Sequence, residues 1–210
     1  MEFSEALIKN LKDRGMWNGT VSYLRSKFFF KTVIRYALNW KYRSTRKDLV
    51  EWLNNNSQLP NKVKSELRDM RNIQDQDSKM RQILYYVNKN ISYEPDQERW
   101  KVPEYWQTAI ETWRYLGGDC EDGAILIYLI AVWLGIPDTD IFIAAGDVVG
   151  GGHAYVVYQS QKDGLEYPID WCYWFDQSKL MKTPYYLRSE YYGGNREWFR
   201  FNLSGGYKLK

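Results

Sequence analysis

The sequence predicts an α+β protein in which helices come first and an antiparallel sheet follows. Up to residue 135 apolar side chains recur at helical spacing, whereas after residue 140 short β-branched and aromatic segments are separated by glycine-containing turns. Helices and strands that occupy separate parts of a chain are typical of this class. The 210 residues, 44% of them hydrophobic, are enough to bury a substantial core.

The helical part is defined by apolar stripes and by residues typical of helix ends. A Thr45–Asp48 pattern predicts the cap of a short helix through Leu53, and Pro60 and Pro103 suit first helical turns. The 123–136 stretch is apolar but too short to span a bilayer, so we expect a buried helix and no membrane span. The other predicted helices cover 4–14, 20–40, 60–73, 77–90, 103–116 and a stretch from Asp119 to Gly135.

The sheet is predicted from four segments rich in β-branched and aromatic residues. They cover 141–145, 153–159, 165–171 and 198–203, with turns at 150–152 and 163–164. We expect the helix that begins near Asp119 to pack beneath this sheet.

Charge divides the chain into two parts. Residues 21–50 contain eight basic side chains and one acid, whereas 101–160 contain two bases and eight acids. A basic, aromatic segment can bind an anionic polymer, but it can equally be a solvated helix face or dock on the acidic part. We expect this segment to pack against the acidic part of the chain, and we expect no nucleic-acid partner. The predicted division is a helical N-terminal extension over 1–75, able to support protein assembly, and a functional domain over 76–210.

Two cysteines and one histidine exclude a disulfide-stapled scaffold and a histidine-cluster metal site. Cys120 follows two glycines at a predicted helix N-terminus, where the helix dipole and free N–H groups favour a thiolate. We expect these glycines to let a substrate backbone approach closely. A structural role is the alternative, because a lone cysteine on a helix is usually a small core residue.

His153 begins one predicted strand, and Asp170 lies near the end of the next. Neighbouring antiparallel strands can bring the two side chains together, so that Cys120 attacks, His153 moves the proton and Asp170 orients the imidazole. Because the chain has one histidine, no other set of residues can form such a triad. Zinc bound through Cys120, His153, Asp170 and Cys172 is disfavoured, since these residues lack close-pair ligand spacing.

Three acids flank the thiol: Asp119, Glu121 and Asp122. Their charges oppose formation of the thiolate, so something must offset them. They either point away as helix caps or hold a hard cation with oxygen ligands, for which Ca²⁺ is suited. The sequence leaves both alternatives open.

The blocks 104–108, 111–112 and 117–124 resemble the active-site helix of the transglutaminase-like cysteine peptidases. The Gly-Asp-Cys-Glu-Asp run is similar, more narrowly, to the bacterial transglutaminase-like cysteine proteinases. Gly152-His153-Ala154 and the region of Asp170 match the histidine and aspartate blocks of that family in order and approximate spacing. The resemblance covers roughly residues 75–175 and departs at Trp171, where the family often has asparagine.

The resemblance implies a papain-like core in which the active-site helix packs on an antiparallel sheet. It implies a triad of Cys120, His153 and Asp170, and it places Trp106 or Gln107 beside an oxyanion hole. Members of the bacterial group include calcium-dependent periplasmic endopeptidases. Their calcium-binding acids correspond here to Asp119 and Glu121.

We therefore expect a cysteine-dependent amide hydrolase that acts on a protein or peptide through a thioester. The alternatives are a transglutaminase-type acyl transferase and a non-catalytic structural or adapter protein that retains the fold. The first residues show neither the basic nor the apolar region of a signal peptide. This pattern predicts synthesis in the cytoplasm. Lysis of the cell and carriage in a phage virion are two ways in which such a protein can leave it.

Overall fold

The fold is taken from a computed structural model of the chain, which describes residues 46–102, 104–148, 151–172 and 197–207. The helices predicted over 4–14 and 20–40 lie outside these residues, as do Thr45 and Pro103. The basic segment 21–50 is described only from residue 46 onwards. Expectations for those parts of the chain stay predictions.

The described helices precede the main sheet, as the sequence predicts. In chain order within the described residues they are α1 (Arg46–Asn55), α2 (Asn61–Glu66), α3 (Gln76–Asn90), α4 (Asp96–Arg99), α5 (Ala109–Tyr115) and α6 (Cys120–Trp133), with 3-10 turns at Arg68–Asn72 and Asp138–Asp140. None of the helices in this part of the chain is both long and apolar enough to cross a membrane.

The strands form one small pair and one larger sheet. They are β1 (Ser92–Tyr93), β2 (Gly117–Gly118), β3 (Ile141–Val148), β4 (Gly151–Gln159), β5 (Glu166–Ile169), β6 (Glu197–Phe201) and β7 (Gly206–Tyr207). β1 and β2 pair in parallel, whereas the larger sheet is antiparallel in the order β5-β4-β3-β6-β7. The α+β prediction is confirmed.

Helix α6 is the centre of the core because it is apolar on every side. All of its residues from Glu121 to Ala131 are buried, and the helix packs on β4 and β3 and on helices α3 and α5. Leu53 of α1 and Val63 of α2 belong to the same hydrophobic cluster as Ile127 of α6. Helical residues on both sides of position 75 therefore share this core; the proposed boundary there stays a prediction.

The helix predicted over 103–116 is shorter than expected. It begins at Ala109, where Thr108 caps it and exchanges hydrogen bonds with Glu111 in a capping box. The preceding residues are held in non-helical backbone by buried acids: the N–H of Tyr105 donates to Asp96, and the N–H of Gln107 donates to Oδ1 of Asp122 at 2.7 Å. These tertiary bonds override the helix-start signal of a proline.

The prediction for 60–73 is likewise partly wrong. Pro60 is the N-cap rather than a helical residue, and α2 ends at Glu66 before a 3-10 turn. The other predicted helices and strands within the described residues begin and end within a few residues of their predicted bounds, as is usual for element ends. Helix α4 and strands β1, β2 and β7 were not predicted from the sequence.

Candidate active site

The N-terminus of α6 is fixed by the segment that precedes it. The N–H of Asp119, the N-cap, donates to Oδ2 of Asp122 at 3.2 Å, which ties the loop to the first turn. Upstream, Glu94 N–H donates to the carbonyl of Gly118 at 2.9 Å as part of the β1–β2 pair. Cys120, the first residue of α6, therefore follows a short segment that is hydrogen-bonded on both sides.

The paired glycines make room for side chains of the chain itself. A Cβ on Gly118 would lie 2.5 Å from Oδ2 of Asp122, and one on Gly117 would lie 3.0 Å from Nη2 of Arg99. We expected these glycines to admit a substrate backbone. The space that a Cβ would occupy at each position is filled by Asp122 and Arg99, and the approach of a substrate backbone stays a prediction.

The Cys120 thiol is half-buried and lies between an acid and the start of β4. Its Sγ donates to Oε2 of Glu121 at 3.3 Å, and the backbone N–H of Ala154 donates to the sulfur. Burial, together with the charge of Asp119, raises the pKa of the thiol to about 12, while the Ala154 N–H acts in the opposite direction. Among the three flanking acids, the charge of Asp119 raises the pKa of the thiol as the sequence predicts, whereas the hydrogen bond with Glu121 lowers it.

His153 and Asp170 form a buried pair. The imidazole Nε2 lies 2.7 Å from Oδ2 of Asp170, and the other carboxylate oxygen accepts from the N–H of Cys172 at 2.8 Å. Antiparallel pairing of β4 with β5, which aligns Val156 with Ile169, brings these side chains together, as the sequence predicts. An aspartate in this position fixes the orientation of the imidazole.

Cys120 is connected to both members of that pair through their sequence neighbours. Ala154, whose N–H reaches the sulfur, directly follows His153. Trp171, which directly follows Asp170, donates from Nε1 to the carbonyl of Cys120 at 3.3 Å. These two contacts place the residues that follow His153 and Asp170 against the N-terminus of α6.

Trp106 and Gln107, the predicted oxyanion neighbours, lie near this helix but their donors are engaged. The indole N–H of Trp106 donates to Oε1 of Glu104 at 2.8 Å, and Nε2 of Gln107 donates to Asp122 at 2.5 Å and to the carbonyl of Gly117 at 3.3 Å. Both side chains are buried. Their role in oxyanion binding stays a prediction.

Trp171 is a residue of the site that the sequence reasoning did not select. A Cβ on Gly123 would lie 2.0 Å from its Nε1, so the indole lies directly against the first turn of α6. Gly123 was the available signal, since a glycine inside a helical pattern often marks a close approach of another group. Trp171 thereby connects the strand that positions Asp170 to the helix that carries Cys120.

Five acids form two overlapping clusters beside the thiol. In each cluster the side-chain oxygens lie within 4.8 Å of one another, and Asp96 belongs to both; the clusters are Asp96, Glu104 and Glu121, and Asp96, Asp119 and Asp122. Asp96 and Glu104 were missed because no local pattern marks them as ligands. Glu104 was noted only as part of the family-like block.

Burial, reinforced by the charge of Asp119, raises the pKa of the Glu121 and Asp122 carboxyls well above the usual value. Oε1 of Glu121 is buried and accepts no hydrogen bond from the described residues. Asp122, by contrast, already accepts from both nitrogens of Gln107 and from the N–H of Asp119. An oxygen-rich cluster with a vacant buried acceptor fits a hard cation such as Ca²⁺.

Comparisons with known proteins show the family and a similar fold. The family model described as bacterial transglutaminase-like cysteine proteinase matches residues 44–200. A solved structure of Legionella pneumophila LapG is similar at 19% identity and a TM-score of 0.56, over 76% of this chain and 87% of that chain. Its calcium-bound form is similar at 18% identity and a TM-score of 0.50, over 82% and 86% of the two chains. No curated protein sequence matches this chain.

Proposed function

Since this chain belongs to the bacterial transglutaminase-like cysteine proteinases, we propose that it hydrolyses amide bonds of proteins or peptides with Cys120, His153 and Asp170 as its triad. The observation that carries this proposal is the buried His153–Asp170 pair, with a separation of 2.7 Å, next to the helix that begins with Cys120. A buried imidazole–carboxylate pair beside a thiol is the arrangement that activates a cysteine nucleophile.

Each residue has a distinct part in the reaction. His153 takes the thiol proton as the sulfur of Cys120 forms a bond to the substrate carbonyl carbon, and Asp170 keeps the imidazole oriented. The oxyanion that forms lies near the N–H groups of the first turn of α6, which are oriented to stabilise negative charge. His153 then protonates the amine as the C–N bond breaks, leaving a thioester on Cys120.

Water completes the reaction in a hydrolase. His153 accepts a proton from water as the water oxygen attacks the thioester, and the sulfur of Cys120 leaves and is reprotonated. An amine in place of water would give an acyl transferase. Membership in a proteinase family favours water.

Products formed in ¹⁸O-labelled water distinguish these reactions. We expect the protein, incubated with an equimolar peptide library, calcium and methylamine, to produce shortened peptides with ¹⁸O in their new carboxyl groups, read by mass spectrometry. Methylamide groups on glutamine side chains would instead support the transferase. Neither product would support a non-catalytic protein with this fold.

We further propose that Asp119 and Glu121 hold a Ca²⁺ ion together with Asp96 and Glu104. The support comes from the clustered oxygens, from the vacant acceptor of Glu121 and from the existence of a calcium-bound form of the similar LapG. A bound calcium ion supplies positive charge that offsets the acids around the thiol. The four carboxylates would also fix the loop before α6 relative to α4.

Calcium is expected to raise the melting temperature of the protein. An ion that binds only the folded state stabilises it by about 2.7 kcal/mol at one hundred times its dissociation constant. EGTA should reverse the shift, and Mg²⁺ should reproduce it poorly because it requires tighter octahedral geometry. Differential scanning fluorimetry measures the shift directly.

A matched pair of variants locates the ion. Asp119→Ala should lose the calcium-dependent shift, whereas Asp69→Ala, the same change at an exposed acid of the 3-10 turn before α3, should keep it. An unchanged melting temperature in millimolar calcium would mean that Asp119 and its neighbours act only as helix caps.

A further inference from the structure

Tyr93 is an exposed aromatic residue beside the proposed nucleophile. It lies in β1, where it pairs with Gly118, two residues before Cys120. Its relative exposure is 56%, although single exposed aromatic residues are common on protein surfaces. A functional role for Tyr93 therefore depends on the contacts that its ring makes.

The inner side of Tyr93 is supported by the site itself. Its ring centroid lies 5.9 Å from that of Trp171, at an interplanar angle of 44°. Trp171 is only 2% exposed and is bonded through Nε1 to the carbonyl of Cys120. Tyr93 thus has one side packed on a buried residue that contacts the nucleophile and the other open to solvent.

Charged groups of the site also affect the pKa of the Tyr93 phenol. Partial burial raises the pKa of Tyr93, and the charges of Cys120 and Asp119 add to that effect. Its hydroxyl therefore stays neutral and can donate a hydrogen bond. An apolar ring with a polar edge, held in place from behind, is suited to receive part of a ligand.

We propose that Tyr93, supported by Trp171, is a specificity-determining residue that receives an aromatic substrate side chain next to the scissile amide. The proposal depends on the proposed function, because it assumes that Cys120 attacks a peptide carbonyl. Ring-on-ring contact would favour an aromatic side chain over a small one by roughly 2- to 12-fold.

The test compares two alkylating agents of different shape. Iodoacetamide probes the reactivity of Cys120 alone, and 2-iodo-N-(2-phenylethyl)acetamide adds an aromatic ring. We expect the full-length protein in calcium to react faster with the aromatic agent, by roughly 2- to 12-fold. In Tyr93→Ala this preference, measured as the ratio of the two alkylation rates within each variant, should disappear because the ring no longer contributes to initial binding.

Two further variants make the result specific. Tyr93→Phe should retain the preference, since the ring remains, and Tyr85→Ala should retain it because Tyr85 lies on α3 with a similar exposure of 55%. If Tyr93→Ala is labelled normally by iodoacetamide and still prefers the aromatic agent, the role proposed for Tyr93 is refuted, whereas the proposed function is not. Slow iodoacetamide labelling of the unmodified protein, without peptide cleavage, would overturn the proposed function and this inference with it.

Discussion

Replacing Cys120 with alanine is expected to lower peptide hydrolysis by about 10⁶-fold, the scale of losing a nucleophile that acts with its base as a unit. The folded state should persist, because the hydrogen bonds described for the sulfur are one with Glu121 and one from the N–H of Ala154. We expect a melting temperature within about 4 °C of the wild type, corresponding to about 1 kcal/mol. Cleavage of a peptide identified in the ¹⁸O experiment provides the rate.

Cys172 provides the matched control for that variant. It is the second cysteine of the chain. Its backbone N–H donates to Asp170 at 2.8 Å, and its sulfur lies within 4.8 Å of side-chain atoms of His153 and Asp170. Alanine preserves that backbone N–H, so Cys172→Ala should retain hydrolysis close to the wild-type rate. Full activity of Cys120→Ala on the same peptide would refute the proposed mechanism.

Asp170→Asn is expected to lower the rate by roughly 10⁴-fold while leaving a measurable residual activity. The amide can preserve the shape of the carboxylate, but it favours the wrong imidazole tautomer and does not stabilise the imidazolium. Labelling of Cys120 by iodoacetamide should slow as well, because the base is no longer oriented toward the thiol. Both rates are measured on folded protein, as judged by thermal unfolding.

The control is the same substitution in the turn that precedes β5. Asp163 is exposed and accepts hydrogen bonds from the N–H of Leu165 and the hydroxyl of Tyr167. Asp163→Asn should change neither hydrolysis nor labelling. Equal rates for Asp170→Asn and the wild type would remove Asp170 from the mechanism and leave His153 without its proposed orienting group.

Local sequence patterns correctly predicted those structural features that depend on residues close together in the chain. The apolar run after Cys120 predicts a buried helix, and Asp119 predicts its cap, because both depend on residues within one or two turns. The contact between His153 and Asp170 was also predictable, since consecutive antiparallel strands place nearby positions side by side.

Contacts between residues far apart in the sequence could not be predicted in this way. Asp96 accepts the N–H of Tyr105 and faces Asp119 and Glu121, but no periodicity brings α4 to the start of α6. The backbone before Ala109 is non-helical for the same reason, because buried acids bind its N–H groups. Trp171 also contacts α6 across about fifty positions of the chain, between Cys120 and itself.

The contact between Trp171 and Gly123 restricts how this site can change during evolution. Any larger residue at 123 collides with the indole, and a smaller residue at 171 leaves a void against the helix while losing the hydrogen bond to the Cys120 carbonyl. A substitution at either position alone is therefore expected to destabilise the contact between the helix and the indole. A lineage that replaces the tryptophan must pass through a weakened intermediate or change both codons together, so the pair should be inherited as a unit.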